Sequence, residues 1–201
     1  MMNDDDPSHG NVERTAFHEA GHVLVAIRWL GVVPREVSVY APTEGRLGHA
    51  AVAVASLQRA GLTDAQCRRV RVPEAAMFLG GLAAEEVAGF GRSTGIADLE
   101  ALAQAYDRPT LNDAMTARLP PVVEATDDVE GALSALVDAF PSKRDPFGRL
   151  LRVYGFAMKF LGHVKPALER LSAELLARSS LSASDIERVL GADLRTRRRA
   201  C

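Results

Sequence analysis

Cysteine is nearly absent from this chain of 201 residues: Cys67 and Cys201 are the only two. Neither has a partner at metal-ligand spacing, which excludes a cysteine zinc cage and argues against a disulfide framework. A reducing cytoplasm is the expected setting. Long apolar runs are also missing. The longest, residues 23–33, is interrupted by Arg28 and is too short for a bilayer, which takes about 20 residues. The acidic start, with Asp4, Asp5 and Asp6, has neither the basic flank nor the apolar stretch of a signal peptide. No charge of one sign dominates, with 24 basic against 26 acidic residues, so no overall field draws the chain to nucleic acid or membrane. Lysine is scarce, and Lys143, Lys159 and Lys165 all lie outside any Gly-Lys-Ser/Thr context. There is thus no P-loop and no ATPase motor of that kind.

What is present suffices for a packed domain. Apolar residues make up 47%, and a chain of this size buries roughly 70% of the surface that its unfolded form exposes. Residues 1–10 read as a flexible acidic leader, 11–192 as the folded domain and 193–201 as a basic tail. The tail's arginines, Arg195, Arg197, Arg198 and Arg199, are read as solvated rather than as a nucleic-acid contact. Within the domain, Phe17, Ala20, Leu24 and Ile27 recur at helical spacing and predict a helix over 12–30, with Asn11 as its cap and Gly31 and Pro34 as its stop. Alternating Val37 and Val39, a turn at 42–45 and a second apolar run at 50–55 predict one β-hairpin. Thr63 and Gln66 form a capping-box pattern opening a helix to about Val72. Pro73 is expected to start another, which Gly89 and Gly91 close. A helix over 97–106 follows. Residues 107–148 hold five of the ten prolines and two acidic clusters, and read as a divergent insert or lid. Two helices are expected after Leu150, the second capped by Ser182 with Asp185 and ended by Gly191. The fold class is therefore mostly α with one small hairpin.

The chemistry gathers at His18-Glu19-Ala20-Gly21-His22. On a helix, residues four apart share one face, so both imidazoles can reach one ion. Glu19 is rotated about 100° from His18, within reach of a water on that ion without ligating it. Zinc lowers the pKa of a bound water toward about 7 and polarises a carbonyl. A carboxylate so placed takes the water's proton and returns it to the leaving amine. A catalytic zinc takes a third protein ligand. Ile27 and Arg28 stand where one zincin branch has its third histidine, and Glu85, Glu86 and Asp98 are the candidates, among which spacing does not choose. His9, His49 and His163 are single, and lone histidines are more often structural than liganding. The glycine-rich 89–95 stretch has no lysine or strand to make it a phosphate loop, and Trp29 and Val33 read as core.

Three segments in order carry a family likeness: Thr15-Ala16-Phe17-His18-Glu19-Ala20-Gly21-His22, then Leu79-Gly80-Gly81-Leu82-Ala83-Ala84-Glu85-Glu86-Val87, then Ser93-Thr94-Gly95-Ile96-Ala97-Asp98-Leu99-Glu100. With the end of the chain around 164–169 and 181–190, they resemble the peptidase domain of FtsH-type membrane proteases (family M41) over about two thirds of the length. The resemblance implies a zinc metalloendopeptidase with His18, His22 and Asp98 as metal ligands and Glu19 as catalytic base. It implies Glu85 as a carboxylate steadying a liganding histidine, and a hairpin strand near 48–54 whose edge accepts an extended peptide. Two features depart from the family. Ala97 stands where it usually has Asn before the Asp, in a segment one residue shorter, and 107–148 match it poorly. FtsH-type proteases join this domain to an ATPase motor and membrane helices. Without a motor of its own, the chain is expected to act on peptides, unfolded protein, or material brought by a separate ATPase or adaptor. The family's hexamers make a homo-oligomer one expectation. The rival readings are a zinc-binding regulatory or peptide-docking module that cleaves nothing, and an enzyme that trims peptides from one end.

Overall fold

The computed structural model describes residues 7–40, 47–51, 63–91, 96, 127–140 and 146–197. In chain order these form α1 (Pro7–Val25), continued by a π-helical turn (Ala26–Leu30), then β1 (Glu36–Tyr40), β2 (Leu47–Ala51) and α2 (Asp64–Ala88). There follow α3 (Asp127–Ala139), α4 (Pro146–His163), α5 (Lys165–Arg178), β3 (Ser180–Ser182) and α6 (Ala183–Arg197). The expected mostly helical fold with a small antiparallel element is what the described residues show. No helix among them is long and apolar enough to cross a membrane.

The central feature is the crossing of α1 and α2, around which α3, α4 and α5 gather. α1 is buried on almost every side from Glu19 to Ala26, because α2, α5 and the sheet all lean on it. Small residues make this feasible. Ala16, Ala20 and Gly21 on α1 and Gly80, Gly81, Ala83 and Ala84 on α2 are all buried, so the helix backbones approach without side chains between them. Leu79, Leu150, Leu161, Leu168, Leu171 and Leu175 fill the surrounding core.

Several boundaries differ from the sequence reading. α1 begins at Pro7, not after Asn11. Proline suits the first helical position, where its missing N–H has no intrahelical partner to lose. Residues 7–10 therefore belong to the helix and not to a leader. The capping box is present, with the Gln66 amide N–H donating to Thr63 Oγ1 and the Thr63 N–H to Gln66 Oε1. Pro73 does not divide the helix that follows. An internal proline costs about 3 kcal/mol. Just past it the helix buries Ala75, Ala76, Met77 and Leu79, and each of the two large side chains alone contributes about 1.5–3 kcal/mol. Burial wins, and the helix runs on. It stops at Gly89, whose positive φ of 97° lets the Phe90 N–H turn back to the Glu85 carbonyl.

The sheet has three strands in the order β2-β1-β3, all antiparallel neighbours. β2 starts at Leu47, before the expected second strand, and residues 52–55 of that run lie outside the described residues. The third strand was not legible as one: Ser180–Ser182 is short, and it pairs through Val37 opposite Leu181, both fully buried. Three helices rather than two fill the end of the chain, with Ser182 and Asp185 capping α6 reciprocally. Gly191 breaks that helix with a φ of 33°, but helix resumes through Arg197, so residues 193–197 are not simply tail.

Within the segment read as an insert or lid, the described part is α3, which is built into the core. It packs against α2 and α4 and gives Val129, Ala132, Leu133 and Leu136 to the common core. The expected helix over 97–106 lies outside the described residues.

Candidate metal centre

α1 places His18 and His22 one turn apart, with ring centroids 4.7 Å apart and nearly perpendicular planes. What each ring does with its Nδ1 decides what its Nε2 can do. His22 Nδ1 lies 2.8 Å from the Met77 carbonyl oxygen. A carbonyl only accepts, so this nitrogen carries a proton and donates it. His18 Nδ1 lies 2.7 Å from Glu85 Oε1 and likewise donates. The other oxygen of Glu85 accepts from Arg14, at 2.8 Å from Nε and 2.6 Å from Nη2. Burial pushes the Glu85 carboxyl up, but the bonds from His18 and Arg14 outweigh it and hold the group below the ordinary range.

With both Nδ1 atoms protonated, the two neutral rings present bare Nε2 lone pairs, and these face each other at 3.0 Å. Asp128, in the first turn of α3, brings a third electron-rich atom. Its Oδ2 is 2.9 Å from His18 Nε2 and 3.4 Å from His22 Nε2. Three acceptors so close repel one another unless a positive charge sits among them. Donors about 2.0–2.1 Å from a tetrahedral zinc stand about 3.3 Å from each other, close to all three spacings. His18, His22 and Asp128 are thus close enough to hold a metal ion, and two imidazoles with one carboxylate suit zinc.

A proton can stand in for the ion. Burial works against charge on His18, but hydrogen bonds to Asp128 and Glu85 prevail and push its pKa up to about 10. His22 is raised in the same way against its burial, chiefly by the charge of Asp128. Asp128, although burial opposes it, is held well below the ordinary carboxylate range by the two histidines. A raised histidine pKa adds stability that is complete below the unfolded value of 6.5 and is lost as pH rises through about 10. Metal-free protein is therefore expected to melt at progressively lower temperature across that window. Zinc-loaded protein should not, because its cation does not titrate away. Melting curves in chelator and in excess zinc check this, and a flat metal-free profile would contradict it.

Glu19 is buried, 5% exposed, and its charge adds to the field that favours cationic His18 and His22. Glu85 bonds His18, while Glu86 turns away to accept a 2.7 Å hydrogen bond from Tyr154. Asp98 lies outside the described residues. Among those described, the carboxylate that meets both Nε2 atoms is Asp128, which the sequence reading did not single out. Its only signal was membership of an acidic pair at the start of an apolar-periodic stretch, with nothing in the spacing to tie it to His18. Arg14, the Met77 carbonyl and Gly81, which lies against the His18 ring, were missed for the same reason. His163 is exposed and bonds the Lys159 carbonyl, away from this cluster. No protein-family model matches the chain, and no curated protein matches it.

Proposed function

We propose that the chain is a zinc-dependent endopeptidase. Its zinc would be held by His18, His22 and Asp128, with Glu19 as the general base. The observation that carries this reading is the convergence of two histidine Nε2 atoms and a carboxylate oxygen, each histidine fixed through Nδ1, beside a buried glutamate. Three protein ligands on a four-coordinate ion leave one position open. A zinc ion there supplies Lewis acidity, activating water and polarising a carbonyl.

The chain's own groups divide the remaining work. Glu19 takes the proton from the attacking water and delivers it to the leaving amine. Glu85, itself clamped by Arg14, keeps His18 in the tautomer that offers Nε2. The Met77 carbonyl does the same for His22. Substrate is a peptide or an unfolded segment. β2 is an outer strand of the described sheet and lies against α1, so an extended peptide added to its edge would run beside the helix bearing the histidines. The order of motifs resembling FtsH-type peptidases supports the same reading, with a separate ATPase or adaptor delivering folded substrates.

Peptides blocked at both ends give the test. Zinc-loaded protein should cut them internally, and chelator should stop it. Cleavage only of peptides with a free end would mean a trimming enzyme. No cleavage of either kind, with zinc bound, would leave the non-catalytic zinc module as the better reading.

A further inference from the structure

Three glycines line the crossing of α1 and α2, and a side chain at each would meet a different obstacle. A methyl group on Gly21 would run into the Gly80 carbonyl and come within 2.5 Å of Ala84 Cβ. One on Gly80 would lie 2.9 Å from the Gly21 carbonyl oxygen and 3.0 Å from Val25 Cγ2. These obstacles are largely backbone, so Gly21 and Gly80 set how closely the helices approach. Gly81 is next in sequence but faces elsewhere. A methyl there would meet only one residue in its nearest contacts, the imidazole of His18, with Nε2, Cε1 and Cδ2 all within 2.6 Å.

We propose that Gly81 is a positioning residue for the metal centre. By carrying no side chain it leaves the slot in which the His18 ring lies, Nδ1 on Glu85 and Nε2 toward His22 and Asp128. The meaning of that slot rests on the metal-site reading above. If a methyl is added, the ring yields before the helix does. α2 is fixed by Gly80 against α1 and by the buried Leu79, Leu82, Ala83 and Ala84, whereas His18 turns about two single bonds. A turned ring gives up its bond to Glu85 and carries Nε2 away from the other two donors. Gly80 and Gly81 thus do different work, one holding the helices together and the other holding a ligand.

Gly81→Ala should therefore weaken zinc affinity by about 10–100-fold, the range seen when a ligand's supporting contact is lost. Its helical circular dichroism should stay that of the wild type. Affinity equal to the wild type's would overturn the proposal. A thermodynamic cycle in metal-free protein tests the contact itself, using wild type, Gly81→Ala, His18→Ala and the double variant. If the added methyl opposes the His18 ring, it lowers the melting temperature in the wild type. In the His18→Ala background it should be neutral or raise it, since alanine is the better helix former. An equal loss in both backgrounds would make Gly81 a packing glycine and end the proposal. Gly80→Ala should show that equal loss and serves as the comparison. If Gly81→Ala alone does not fold, the double variant against His18→Ala still gives the answer. Failure of the metal reading looks different: His18→Ala would then leave zinc affinity unchanged, while the cycle would still report on the contact.

Discussion

Replacing Glu19 by glutamine is expected to lower cleavage of an unstructured protein such as casein by about 10²–10⁴-fold, the range that general acid–base catalysis contributes. Zinc should remain bound at wild-type stoichiometry, because Glu19 is not among the three converging donors. The substitution keeps the shape of a side chain that is 5% exposed, so the core around it need not repack. It removes the ability to take a proton, together with the negative charge that Glu19 adds beside His18 and His22. Measured together, zinc content and rate separate the roles of neighbouring residues on one helical turn. His18→Ala and His22→Ala should lose metal and activity together, and Glu19→Gln should lose activity alone. A Glu19→Gln protein that cuts at the wild-type rate would assign the base to another group.

Asp128→Ala is expected to produce the largest loss of metal affinity outside the two histidines. It should exceed the roughly 10–100-fold that follows removal of an outer partner such as Glu85. The oxygen it removes is the one that meets both Nε2 atoms, at 2.9 and 3.4 Å. Zinc competition titrations of Asp128→Ala and Asp98→Ala, side by side, check the assignment. The first should lose zinc and the second keep it. The reverse result would give the third ligand to Asp98, as the family resemblance implies. It would leave Asp128 as the counter-charge that satisfies the histidines when no metal is bound.

What was legible in the sequence was what lies close along the chain. The pairing of His18 with His22 follows from the pitch of a helix, and the apolar stripe that predicts the helix is independent of the histidines. Local chemistry also marked the capping boxes at Thr63 and Ser182 and the stop at Gly89. The failures share a cause. Pro73 carries a strong local signal that tertiary burial overrides. Strand β3 is three residues long and exists because β1 offers it a partner and Leu181 a buried place beside Val37. Asp128 reaches the histidines because α3 packs on α2, a contact between elements distant in sequence with no local signature. Gly81 is the subtlest case. As a glycine in a helix it reads as a weakness or a packing residue. Only with α1 in place does the space it leaves become a seat for a ring.

The most direct test of the central claim is a titration of metal-free protein with zinc, following casein cleavage without ATP at neutral pH. No cleavage is expected before zinc is added, then a rate that rises to a plateau at one zinc per chain, and full loss on adding chelator. A chain that takes up one zinc and still leaves casein intact at every point would contradict the claim that this is a self-sufficient metallopeptidase. A chain that takes up none would contradict the metal centre itself.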